Sequence, residues 1–177
     1  MEQVVILQKL RSEIGDAVKP YLNSDDELLS RLEEAVGDYS KYRPRRIKAN
    51  LTLVPGSTVF PLPADCQTWV SGLEDYEVLS NALYLEQPVL SPVTVPFVYL
   101  GDHVLQTIPD RDISILFDFI MWKHYEAVVS EGAEISGLKL GKGLDIKFDN
   151  FDELNKAAER RKNSYINRVT RPLGGGT

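Results

Sequence analysis

Few residues in this 177-residue chain are of types that do covalent chemistry, and their spacing argues against most of it. Gly137-Leu138-Lys139-Leu140-Gly141-Lys142-Gly143 has the flavour of a phosphate-binding loop. Such a loop needs four residues between its glycines and a Ser or Thr after the lysine, so that amides wrap the phosphates and the hydroxyl reaches magnesium. Here three residues intervene and Gly143 follows Lys142, so the stretch reads as a glycine-rich turn. The two histidines, His103 and His124, lack companions at metal-ligating spacing. Without a Gly-x-Ser-x-Gly elbow, neither histidine has a triad to serve. Cys66 is the sole cysteine, which excludes an intramolecular disulfide and a cysteine-based zinc site. It has no basic neighbour in sequence to lower its pKa and reads as a buried thiol. The carboxylate pairs Glu74/Asp75 and Asp145/Asp149 have the chemistry of a glycosidase, but acidic residues are common in turns. The expectation is a non-enzymatic protein with no catalytic, cofactor-binding or metal-binding residues.

Binding chemistry is better represented. Tyr39 and Tyr42 precede Arg43, Arg45 and Arg46, a basic and aromatic set able to bind phosphate, stack on bases, or pair with an acidic neighbour. Near the C-terminus Lys156, Arg160, Arg161, Lys162, Arg168 and Arg171 stand against Glu159 alone, leaving residues 156–177 at net +5. They read as a solvated helix face, a nucleic-acid contact, or an insertion into an acidic partner. Residues 50–110 contain no Lys or Arg and seven carboxylates. The total of −6 therefore averages an acidic middle with basic segments at 45–49 and 156–177. Such polarity suits head-to-tail contacts, and equally suits solvated faces. A protein that coats nucleic acid with its whole surface is excluded by the net charge.

The elements that must position these groups follow from periodicity. Leu7, Leu10, Ile14 and Tyr21 recur at helical steps, and Pro20 helps to stop that helix. Ser24-Asp25-Asp26-Glu27 is a capping box for a second helix, with Leu28, Leu32, Ala35, Val36 and Tyr39 on its stripe and Pro44 at its end. Six of the ten prolines fall within residues 47–108, where short alternating runs predict an antiparallel β insertion. Its strand candidates are 47–53, 58–60, 68–73, 83–86, 93–100 and 103–107. Pro55-Gly56 predicts a type II turn and Gly101-Asp102 a hairpin corner. Trp69, Tyr76, Tyr84 and Tyr99 lie at strand positions, where they pack a small core or, in an alternative reading as a carbohydrate-binding or hydrolase module, form an aromatic platform.

From Arg111 to Ser130 a helix is apolar on two sides: Ile113, Leu116, Phe117 and Ile120 on one, Ile115, Phe119, Trp122 and Val129 on the other. Such a helix is buried in a bundle or shared between subunits. Asn150 with Glu153 signals the start of a last helix. The predicted fold is α+β: a four-helix-type bundle (1–46 and 109–171) with the β insertion 47–108 between the second and third helices, and a flexible tail at 172–177. Residues 168–177 are expected to order only on a partner. Met1-Glu2-Gln3 is unlike a signal-peptide start and no apolar run approaches membrane-span length, which predicts a soluble protein of a reducing compartment.

Three stretches resemble the head-to-tail connector (neck adaptor) proteins of tailed bacteriophages. They are Leu10–Asp16 followed by Tyr21–Leu29; Val54-Pro55-Gly56-Ser57-Thr58-Val59-Phe60-Pro61-Leu62-Pro63-Ala64-Asp65; and Leu138–Arg171, a glycine loop leading into a helix with a basic end. The resemblance implies a virion protein assembled in the host cytoplasm, a homo-oligomeric ring of twelve copies docked under the portal protein. It would bind the next neck or tail protein on its other side, with DNA passing through the lumen and no membrane contact. On this reading Arg160, Arg161, Arg168, Arg171 and Pro172 bind the portal, and Arg43, Arg45, Arg46 and Trp122 are inter-subunit candidates.

Overall fold

A computed structural model describes residues 3–19, 23–137 and 151–171, with backbone only for 131–137 and 151. The chain divides into two compact units. Unit 1 joins Met1–Tyr42 to Val104–Thr177, and unit 2 is the intervening Arg43–His103.

Unit 1 contains α1 (Gln3–Glu13), α2 (Asp25–Tyr42), α3 (Ile113–Gly137) and α4 (Phe151–Val169). The predicted cap of α2 is present, since the Glu27 amide donates to Ser24 Oγ at 3.1 Å. The Glu27 carboxylate is taken by Arg31 one turn on, at 2.6 Å. Before α3 the chain makes two short 3-10 turns, Leu105–Thr107 and Asp110–Asp112, where a strand was expected over 103–107. The core joins Leu10, Leu28, Leu32, Tyr39, Leu116, Ile120, Tyr165 and Val169. Over its first half α3 is buried on all sides, from Ile113 to Met121 with only Ser114 exposed. The chain's own packing thus accounts for the two apolar stripes there. Ala127 and Val128, further along, are exposed.

The expected four-helix bundle is overturned. A bundle needs four helices of similar length aligned about one axis. At about 1.5 Å per residue, the 11 residues of α1 span about 16 Å against about 37 Å for the 25 of α3. Helix α1 buries only Ile6, Leu10 and Arg11, too short a stripe to form one wall. The helices instead gather around α3, with α4 packed along it, and the rest of the fold is two small antiparallel sheets.

Those sheets make up unit 2. One has the order β1 (Arg45–Leu53), β6 (Val93–Gly101), β3 (Cys66–Ser71); the other has β2 (Val59–Pro61), β5 (Ala82–Tyr84), β4 (Glu77–Leu79). Strands β1 and β6 stay in register over nine residues, from Arg45↔Gly101 to Leu53↔Val93. Alternate residues Leu53, Val95, Phe97 and Tyr99 point inward to meet Phe60, Leu73 and Leu83. Gly56 has φ +80, as the predicted type II turn requires. Gly72 has φ +92, and a Cβ there would lie 2.4 Å from the Pro96 carbonyl oxygen, so only glycine lets β3 turn against β6. No hairpin forms at Gly101-Asp102, because β6 pairs with the distant β1 and β3. The tight hairpin is β4–β5, where Leu79 pairs with Ala82 and Ser80 and Asn81 both take positive φ. Two positive φ values match the right-handed twist of the strands, as in a type I′ turn.

Candidate interaction surface

The polar architecture of unit 1 centres on Asp118, a carboxylate on α3 with 3 % exposure. A charge so deeply placed is tolerable only with several donors. All of them come from one face of α4: Arg161 Nη1 donates to Oδ1 at 2.7 Å, and Ser164 Oγ and Arg168 Nη1 donate to Oδ2 at 2.7 and 2.8 Å. Positions 161, 164 and 168 follow three- and four-residue steps, so one helical face presents all three to one acceptor. Arg161 also reaches Glu13 of α1 at 3.4 Å, and Arg168 donates to Ser114 Oγ at 2.5 Å. The hydrogen bond to Asp118, ahead of the cost of burial, holds the Arg161 guanidinium above its ordinary pKa.

The sequence-predicted portal contacts therefore separate. Arg161 and Arg168 both bind Asp118, and Arg160 and Arg171 have solvent-exposed side chains. Pro172 lies outside the described residues, as do 138–143 of the glycine-rich stretch, Asp145, Asp149 and the Asn150 cap. The expectation that ordering from residue 168 onward needs a partner is corrected for residues 168–171, and residues 172–177 lie outside the described residues. Arg168 clasps Asp118, and Val169 is a fully buried core residue, so α4 runs to its end inside unit 1.

Trp122 is half-buried against Phe119 and Tyr165, with ring centroids at 5.6 and 6.3 Å. The ammonium groups of Lys123 and Lys162 stand over its ring at 4.4 and 5.1 Å. Tyr165 donates to Asp38 at 2.6 Å, and burial first, then this bond, raises its pKa above the usual tyrosine value. A second clasp escaped the sequence reading. Arg11, buried at the end of α1, donates to Asp16 at 2.7 Å, to the Asn23 carbonyl at 3.0 Å and to Asp25 at 2.6 Å. It ties α1 to the start of α2. A lone arginine in an exposed-looking helix gave no periodic signal of this. His124 is half-buried with Nδ1 3.5 Å from Arg31 Nη1.

In unit 2 the predicted set Arg45 and Arg46 belongs to β1, with Arg43 two residues before it. Arg45, Arg46 and Lys48 are exposed on this sheet edge. Tyr99 is buried and Trp69 and Tyr76 pack against the same core, so three of the four aromatics are committed to packing. The Tyr99 hydroxyl donates to Asp65 at 3.0 Å. Burial raises the Cys66 thiol pKa, and the charge of Asp65 adds to the rise. Among the described residues no group of three or more His, Cys, Asp or Glu is placed to hold a metal ion, and no helix is long and apolar enough to cross a membrane. What the arrangement offers is charged, solvent-facing surface on two separate units. No protein-family model matches this chain, and no characterised protein sequence matches it.

Proposed function

We propose that this chain is a structural head-to-tail connector of a tailed phage. Copies form a ring beneath the portal and join capsid to tail, with DNA passing through the lumen and no reaction catalysed. The observation that carries this reading is the way α4 is built. Its inward arginines are fixed by Asp118, so the helix is a rigid post, with Arg160 exposed on it and Arg171 exposed two residues beyond its end. A rigid basic post suits docking into an acidic protein surface, where preformed charge adds steering and specificity. The likeness of three sequence stretches to neck adaptors supports the same assignment. On it, the portal side is marked by Arg160, Arg171 and Pro172, and the next neck or tail protein binds elsewhere on the ring.

The test is co-assembly. Purified protein mixed with portal rings is expected to co-sediment as one complex, with extra density below the portal by electron microscopy. Arg160→Glu with Arg171→Glu is expected to abolish the complex while leaving the circular dichroism unchanged. A chain that never associates with portal rings overturns the reading.

A further inference from the structure

Unit 2 segregates its charge. All four of its Lys and Arg side chains lie in or just before β1: Arg43, Arg45, Arg46 and Lys48. Its six carboxylates lie on the rest of the unit. Among the described residues Arg46 and Lys48 make no ion pair, and both are exposed. Segregation of this kind raises no stability within the unit, so its use lies between molecules.

The strand that carries the cations is also an open edge. Among the described residues β1 pairs only with β6, so every second residue turns its backbone N–H and C=O outward. The other edge of that sheet, β3, is interrupted by register shifts between Cys66 and Thr68 and between Trp69 and Ser71. Such irregularities blunt an edge. Strand β1 has none over its nine residues. A long, regular but positively charged edge resists indiscriminate pairing and accepts a strand that brings negative charge. Beside this edge the sheet has a groove of about 280 Å³ over β6, with Lys48, Ala49 and Asn50 of β1 on one side and Ser71 and Gly72 on the other.

One segment of the same chain has the complementary features. Glu74-Asp75-Tyr76-Glu77 is acidic and leads into β4, itself an edge of the second sheet, with Leu79 exposed. Glu74 already accepts from the Gly72 amide at 2.7 Å, which leaves Asp75 and Glu77 as the outward carboxylates. We infer that β1 of one copy receives the acidic run and β4 edge of a second copy, with Asp75 and Glu77 against Arg46 and Lys48. The contact uses two different surfaces of one unit, so it is heterologous and propagates from copy to copy until a ring closes.

The inference rests on the ring of the proposed function and names the contact between its copies; its test contains no portal, so its failure and that of portal docking are read separately. Sedimentation velocity of the full chain at about 0.01 M salt is expected to show concentration-dependent association, lost at about 1 M salt where screening is complete within about 3 Å. Arg46→Glu/Lys48→Glu and Asp75→Lys/Glu77→Lys are each expected to raise the dissociation constant at least about tenfold, because each places like charges together. All four positions are exposed, so folding is checked simply by circular dichroism. Mixing the two variants restores one wild-type contact and one charge-swapped contact, and association is expected to return. Wild-type chain that stays monomeric at low salt overturns the inference. So does a mixture that fails to associate, and so does binding of an acidic peptide to β1 without any self-association.

Discussion

At the scale of single residues, unit 1 depends on two buried carboxylates, Asp16 and Asp118, each of which accepts from several donors. Removing one partner from such a set leaves the others uncompensated. Asp118→Ala removes the shared acceptor and leaves Arg161 with Glu13 and Arg168 with Ser114. Both arginines keep more than a third of their exposure, so water softens the loss to about 2–4 kcal/mol, measurable by urea unfolding. Tyr165 sets a pH dependence. Its pKa in the folded state lies above the ordinary value of 10.0, so the unfolded chain releases the phenolic proton first as pH rises. The stabilisation is complete below pH 10 and is lost progressively above it. In alkaline unfolding, Tyr165→Phe is expected to flatten this slope. At neutral pH the same change removes a hydrogen bond to a carboxylate, at a cost of about 1.5–3 kcal/mol. The raised thiol pKa of Cys66 makes thiolate scarce near neutrality. Iodoacetamide is therefore expected to alkylate it at least severalfold more slowly in the folded chain than in guanidinium.

At the scale of elements, the C-terminal helix is where truncation separates packing from docking. Deleting residues 172–177 removes none of the core residues described for unit 1 and is expected to leave the urea midpoint unchanged while weakening portal binding. Deleting 168–177 also removes Val169, fully buried, and the Arg168 clasp. Burial of a valine side chain contributes about 1.5–3 kcal/mol, so this longer deletion is expected to lower the midpoint clearly. Helices α2 and α3 were legible in the sequence because each follows a run of apolar residues at helical steps, and α2 carries its own cap. Strand β4 was not, since Glu77-Val78-Leu79 is too short to display an alternation. Its Ser80-Asn81 turn lacks the glycine that usually marks two positive φ values. The partners of β6 were also invisible. Pairing with β1, about fifty residues earlier, is a long-range choice that local pattern does not encode. Among candidate residues, the exposed cations of β1 could be read from composition alone. The inward turn of Arg161 and Arg168 could not, because it depends on where α3 places Asp118.

At the scale of the whole molecule, one proposed contact is assigned to the helical unit and another to the β unit. The portal experiment reads the first and the charge-swap experiment the second. Mutations on one surface are expected to leave the other's readout unchanged. The order of the units along the chain also governs how the molecule is made. Unit 1 is discontinuous, and residues 43–103 are synthesised between its two halves. A ribosome delivers the chain from its N-terminus, and domains fold as units while it does so. The β unit is therefore complete in sequence while α1 and α2 still wait, with Leu28, Leu32 and Tyr39 uncovered, for α3 and for Tyr165 and Val169 of α4. During translation α1 and α2 are therefore expected to stay exposed and accessible to chaperones while unit 2, encoded between the two halves of unit 1, is already complete.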